Sequence, residues 1–314
     1  MTFISDFLSI IVNSLIPFSF LSLATFGIVL IFKTSSTTNF AQGSLGILGA
    51  FTTSYLIDQQ GVSNITSMPS VIIDSPWQLV LPMLAGILVS FVVGLLIDIV
   101  IFRNAKYVNA ATKQIITMGL VIVITGIIPI IFGPAVTRVS FAFSSRVLTV
   151  LGVALPVHQL VTLIIAATII TLIFILLKYT KWGLGVRSVA SNERVAGLMG
   201  INTNLINALS WGIAGALGAL SAITYTAAIG SLSASSMIGI QVNAFYASIL
   251  GGFSTFFGPL AGAFLMTTGQ SIIPKLLIRW NLTAWSNTVL YLAIIIAVLI
   301  KPLGIFGKKV IKKV

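Results

Sequence analysis

The chain has 314 residues, no cysteine, a single histidine and five acidic side chains. Without cysteine there are no disulfides, thiolate metal centres or cysteine nucleophiles. His158 alone cannot build an H-E-x-x-H zinc site, and no serine has the histidine and acid company of a catalytic triad. His158 follows Pro156 at the start of an apolar run and reads as an interfacial residue. No G-x-x-x-x-G-K-[S/T] loop occurs, and the longest polar segment is too short for an ATPase domain, so nucleotide hydrolysis and metal chemistry are not expected of this chain. Charge is scarce too: 7% of residues are charged against 57% hydrophobic, with a mean hydropathy of +1.13. That leaves too little polar surface to cover a soluble globule of this size. Proton-coupled carriers keep carboxylates or histidines at mid-membrane. The acid nearest a span interior here is Asp98, about one turn from Arg103, and it reads as an ion pair near the interface.

What is present is apolar sequence in runs of about 20 residues, the length of a membrane-crossing helix. There is no strong period-2 alternation, so the reading is an all-α polytopic helical bundle and not a barrel. The opening MTFISDFLSI lacks a positive region before its apolar run and reads as a retained span. Spans are expected near residues 7–31, 38–57, 78–102, 114–132, 157–178, 204–228, 237–251, 257–273 and 285–300, about eight or nine in all. The pair around Gly251 is short enough to be broken or re-entrant. No linker or low-complexity run divides the chain, so residues 1–314 are expected to form one domain.

The net charge of +12 sits at span ends, where it reports topology and not nucleic acid. With the C-terminus in the cytoplasm, one side collects Lys33, Arg103, Lys106, Lys113, Lys178, Lys181, Arg187, Arg194, Lys301, Lys308, Lys309, Lys312 and Lys313. The other keeps Arg138, Arg146, Lys275 and Arg279. The positive-inside rule then places the N-terminus outside. Asp58 and Asp74 fall in one outer loop, and residues 133–156 make a second. Arg138 and Arg146 there suit either acidic groups on a binding partner or lipid headgroups.

Two kinds of polar sequence interrupt the apolar background. The first is the stretch 178–202, which holds Glu193, the only glutamate. Val195, Leu198 and Met199 recur at helical spacing, Asn192 can cap the start and Gly200 can end the turn, which describes a two-turn amphipathic helix. It is too short to span a bilayer and must lie on a surface or against a partner. The second kind is uncharged: Thr37, Thr38, Asn39, Gln42 and Ser44 open the second expected span, and Gln241, Asn243, Tyr246 and Ser248 occupy the seventh. Amides and hydroxyls are costly against lipid, so they should either line an aqueous path or hold helices together. The glycine-dense stretches 39–50 and 250–263 echo each other, as the interrupted helices of duplicated transporters do. Gly212, Gly215 and Gly218 read as close helix packing.

These stretches also resemble a known family. NFAQGSLGILGAF at 39–51 resembles the N-F-A-[H/Q]-G motif of permease subunits of branched-chain amino-acid ABC importers, of the LivH type. The region 180–202 looks like that family's T-x-x-G-x-x-x-R-A block ending in L-x-G-I-N, with Ser188-Val189 in place of the commoner pair. Residues 250–263 are similar to its G-G-x-G-[ST]-x-x-G-P-x-x-G-A block, with Phe253 where glycine is usual, and KPLGIFGKK at 301–309 resembles its ending. The resemblance implies an ABC importer permease fold in the plasma membrane of a prokaryote. It also implies the partners: a second, LivM-like permease, two cytoplasmic LivG- and LivF-like ATPases that bind ATP and magnesium, and an extracytoplasmic solute-binding protein. Within a coupling loop of about 179–203, residues 188–201 correspond to the coupling helix, so that Ser188, Asn192, Glu193, Arg194, Val195, Leu198, Met199 and Gly200 would engage an ATPase. Asn39, Gln42, Gly43, Ser44, Gln241, Asn243, Tyr246, Gly251 and Gly252 are the candidates for translocation path or gate. Related permeases serve urea and short amides. A carrier or channel working alone and a non-transporting membrane subunit remain open readings of the residues.

Overall fold

The structure is a computed structural model that describes residues 2–59, 77–105, 108–133, 147–150 and 153–307. Among the described residues, nine helices correspond to the nine expected spans: α1 (Thr2–Ser35), α2 (Gln42–Gln59), α3 (Trp77–Ile97), α4 (Ala110–Phe132), α5 (Val157–Tyr179), α8 (Thr203–Ile229), α9 (Ile238–Gly251), α10 (Gly258–Leu277) and α11 (Ser286–Ile300). Between α5 and α8 lie two short helices, α6 (Lys181–Ser191) and α7 (Glu193–Leu198). Among the described residues, six stretches are long and apolar enough to cross a membrane: Ser9–Ser35, Leu79–Phe102, Ala110–Phe132, Gln159–Tyr179, Thr203–Ile229 and Thr283–Ile300. α9 has 14 residues and cannot cross a hydrocarbon core of about 30 Å at 1.5 Å per residue. α2 carries too many polar side chains to qualify, although the sequence suggested a full span there. One feature was not expected: a small antiparallel hairpin pairs Val147–Val150 with Val153–Pro156 just before α5.

α8 is the hub, packed against α1, α2 and α3. Its small residues are what allow this. A Cβ on Gly215 would overlap the Ser90 carbonyl of α3, and one on Gly46 of α2 would overlap the Gly218 carbonyl, so backbones meet where side chains would stand. Close approach brings polar groups into range: Ser90 Oγ donates to Leu45 O at 2.8 Å, Ser221 Oγ to Phe20 O at 2.7 Å and Trp211 Nε1 to Ser35 Oγ at 3.2 Å. Buried hydroxyls of α1 turn back on their own helix, as in Thr25 Oγ1 to Leu21 O at 2.6 Å, which satisfies them without water. In contrast α4, α5 and α11 expose apolar faces, with Ile130 and Leu299 among the most open side chains.

The bundle has two distinct ends. Ser35, Asp98, Arg103, Lys113, Glu193, Arg194 and Thr203 surround one pocket of 330 Å³, so the end of α1, the end of α3, the start of α4, α7 and the start of α8 share one charged end. At the opposite end Lys275 Nζ donates to Ser9 Oγ at 2.9 Å, joining the end of α10 to α1. α3 reaches the charged end through a π turn, Asp98–Phe102, whose Phe102 stacks on Trp211 with centroids 4.6 Å apart. The expected Asp98–Arg103 ion pair does not form. Asp98 is buried while the exposed Arg103 side chain stays beyond 4.0 Å, and the contact between them is Arg103 N to Asp98 O at 2.8 Å. Asp98 points into the protein while Arg103 stays at the surface, so the pair does not close.

Candidate functional site

Three places hold the polar residues singled out in the sequence. The first is the break between α1 and α2. The backbone turns at Ser36, and residues 37–41 run without helical hydrogen bonds until α2 starts. Irregular backbone at this depth is tolerable only inside protein, and here it is inside: Thr37, Asn39 and Ala41 are fully buried. Side chains replace the missing ladder. Asn39 Oδ1 accepts from Ala41 N at 2.9 Å, Phe40 N donates to Thr117 Oγ1 of α4 at 3.1 Å, and Gln114 Nε2 donates to Thr38 Oγ1 at 3.2 Å. From α9, Gln241 spans the break, its Oε1 accepting from Gly43 N and its Nε2 donating to Asn39 O at 3.2 Å. Gln42 Nε2 donates to Ala214 O at 2.6 Å, with its Oε1 near Asn39 Nδ2 at 3.3 Å. Gln42 and Gln241 therefore hold helices together, while Asn39 braces the turn itself. Asn243 and Tyr246 face α11 instead: Tyr291 donates its hydroxyl to Asn243 Oδ1 at 3.0 Å and stacks on Tyr246 at 4.9 Å.

Ser44 stands apart from this network. It lies in the first turn of α2 and lines a 260 Å³ cleft between α2, α4 and α9.

The second place is the break between α9 and α10. Gly252 adopts φ 93°, a conformation that favours glycine, and a Cβ there would overlap the Leu303 carbonyl. The chain after α11 folds back onto this turn, Ile305 N donating to Leu250 O at 2.8 Å and Phe306 N to Gly251 O at 3.2 Å. Lys33 at the end of α1 donates to Ser254 O and lies 5.7 Å from the Phe256 ring. Phe253 packs on Phe32 with centroids 4.4 Å apart.

The third place is α7, at the charged end. Asn192 is its cap, accepting from Arg194 N at 3.1 Å and Val195 N at 3.2 Å. Gly200 ends it at φ 84°, and Ile201 N closes the turn on Ala196 O at 3.1 Å. Ala196 is buried. Val195, Leu198 and Met199 are 51%, 87% and 78% exposed. Glu193 accepts from Asn207 Nδ2 at 3.1 Å, tying α7 to α8. Arg194 is exposed beside it. Ser188 is separated from α7 by the Asn192 cap: it sits in α6 and donates to Leu184 O at 2.9 Å. α6 is itself anchored, with Val186 and Val189 buried, and Arg187 Nη2 donates to Lys178 O at the end of α5 at 3.4 Å.

Comparison with known proteins gives a family match over residues 10–299, to the family described as branched-chain amino acid transport system / permease component. The chain belongs to this family. LivH, a high-affinity branched-chain amino acid transport system permease protein of Escherichia coli K12, is 22% identical over 300 residues, covering 93% of each chain. The corresponding BraD of Pseudomonas aeruginosa is 22% identical over 317 residues, 99% of each. The autoinducer 2 import system permease protein LsrC of Yersinia enterocolitica is 28% identical over 151 residues, 46% of this chain and 39% of its own. No solved structure matches.

In this permease two of the motif-bearing stretches meet each other, and a third is held by helices outside the motifs. The 250–263 block and the tail from Lys301 interlock at Gly252, and the 39–51 block is held by α8 and α9. Thr117 and Gln114 of α4 were missed in the sequence, because nothing local marks two polar residues on an apolar helix as partners of a loop some 75 positions earlier. Arg138, Arg146, Asp74, Lys106, Lys308, Lys309, Lys312 and Lys313 lie outside the described residues, as do the side chains of Asp58 and His158.

Proposed function

We propose that this permease is the membrane-spanning subunit of an ATP-driven importer for branched-chain and other hydrophobic amino acids, with all 314 residues forming one transmembrane domain. It works with a second, LivM-like permease, two LivG/LivF-like ATPases that carry ATP and magnesium, and a solute-binding protein. It sits in the plasma membrane of a prokaryote, N-terminus outside and C-terminus in the cytoplasm, as its thirteen against four cations favour.

The observation that carries this reading is α7. Six residues cannot enter a membrane, yet Val195, Leu198 and Met199 stand exposed on a helix fixed at both ends by Asn192 and Gly200. Such a face fits an apolar groove on a partner at the charged end. Movement of that partner would push α7, and the Glu193–Asn207 hydrogen bond passes the push to α8. α8 holds the α1–α2 break through Ala214 O and Gln42, so displacing it works on the place where helices are interrupted. The interrupted helices near residues 39–46 and 251–258 are the gate in this scheme.

The test is reconstitution of the chain in proteoliposomes with and without the ATPases, second permease and binding protein. Leucine uptake is expected only with the complete set and ATP. Uptake by this chain alone on an ion gradient would establish a stand-alone carrier, and uptake of urea or short amides in preference to leucine would move the substrate class.

A further inference from the structure

We propose that the cleft between α2, α4 and α9 is a solute-contact site that accepts the aliphatic side chain of a small neutral amino acid beside the hydroxyl of Ser44. This rests on the import function above and deepens it by naming where the solute touches this subunit and which chemistry it meets. The cleft measures 260 Å³, and its walls include Phe40, Met118, Val121, Met237 and Val242. None of its lining residues is charged, so a solute with an ionised side chain would find no counter-ion there. Gln241, also at its edge, has both ends of its carboxamide engaged, by Gly43 N and Asn39 O, and is held in place by the break.

Ser44 is different. It is only 8% exposed, it lines the cleft, and its hydroxyl has no hydrogen-bond partner among the described residues. A helix serine ordinarily bonds back to a carbonyl one turn earlier, as Ser14, Thr25 and Ser248 do here. A free hydroxyl that opens onto a cleft is a group available to a ligand. The cleft also lies where two helices begin: Gly43 and Ser44 are in the first turn of α2, and Ile238 and Gln241 are in the first turn of α9. Both N-terminal fields suit the carboxylate of an amino acid whose side chain lies against the apolar wall. Uncommitted shape and one free polar group are what a transient contact needs, since a solute in transit must also leave.

The absence of cysteine makes a direct test possible, because Ser44→Cys introduces the only thiol in this chain. In the complete reconstituted transporter, built with cysteine-free partners, a small maleimide is applied during turnover with ATP. Leucine at ten times its half-maximal uptake concentration should slow labelling about tenfold by mass action, and glutamate should not slow it. In parallel, Val121→Phe fills the cleft and should lower leucine uptake about tenfold or more while alanine uptake stays within about twofold, the discrimination a few methylenes provide. Labelling indifferent to leucine, or Val121→Phe changing both solutes alike in a transporter that still takes up leucine, overturns the cleft and leaves the import function standing. A wild-type transporter that takes up no hydrophobic amino acid overturns both. The thiol readout decides the question even if Val121→Phe assembles poorly.

Discussion

Gln241 of α9 and Gly43 of α2 are 198 residues apart in sequence, and the side-chain oxygen of the first is the partner of the backbone N–H of the second. The same carboxamide donates to Asn39 O, so one side chain satisfies two backbone groups of a break that no helix can satisfy. Gln241→Leu keeps the bulk and removes both partners. Each orphaned buried group costs about 1 to 3 kcal/mol, so the variant should melt several degrees lower in detergent, with transport reduced in proportion to the folded fraction. An unchanged melting temperature would show that the break is held by other contacts.

Leu198→Asp should leave the permease itself as stable as the wild type, because the side chain is 87% exposed and touches little. Its effect belongs to the partner: an unpaired charge pushed into an apolar groove costs about 3 kcal/mol or more if fully buried, enough to lose most of the complex. Co-purification with the ATPases should fall sharply while yield and melting temperature of the isolated subunit hold. Asn192→Ala removes the cap of the same helix and should cost about 1 kcal/mol locally, giving a milder loss of ATPase binding than Leu198→Asp. Equal binding by wild type and Leu198→Asp would remove α7 from the coupling scheme.

Glu193→Gln and Asn207→Leu test whether α7 communicates with α8. Glutamine can still accept from Asn207 Nδ2, whereas Asn207→Leu cannot donate to Glu193 at all. Asn207→Leu is expected to leave ATPase association intact and to uncouple ATP turnover from uptake, with Glu193→Gln close to wild type. If both behave as wild type in the ratio of solute moved per ATP hydrolysed, α8 receives its motion elsewhere.

Small residues should sort by contact and not by position in the helix. Gly215→Ala places a methyl against the Ser90 carbonyl and must push α8 from α3. Gly126→Ala on α4 meets nothing within 4 Å. Thermal denaturation should show the first strongly destabilised, and the second unchanged or slightly better, since alanine is favoured over glycine in a helix by about 1 kcal/mol. Gly252→Ala combines a left-handed backbone with a clash against Leu303 and should free the segment after α11 for early proteolysis.

Features decided within one turn or one span were legible from the sequence. Hydropathy located the crossing helices because every backbone group in lipid must be paired within its own segment. Asn192 and Gly200 delimited α7 because capping uses neighbours in the chain. The spacing of Gly212, Gly215 and Gly218 read as packing, and that is where α8 meets its neighbours. The hairpin before α5 went unseen: Val147–Val150 and Val153–Pro156 are as apolar as the spans around them, and only pairing makes them strands.

For the polar residues the sequence left lining and binding open, and tertiary structure separated them. Asn39 braced its own turn, Gln42 and Gln241 found partners on other helices, Asn243 and Tyr246 turned to α11, and Ser44 was left free beside a cleft. Ser188 fell in a different helix from Leu198 for a local reason, the Asn192 cap between them, while Asp98 missed Arg103 because one is buried and the other exposed. Composition by itself determined that this chain lives in a membrane, since it lacks the charge for a soluble surface. Which amide closes which break was decided only in three dimensions. A hydrogen bond across 198 residues leaves no periodicity in the chain, and it forms because glycines let two helices approach until their polar groups have no water left to bind.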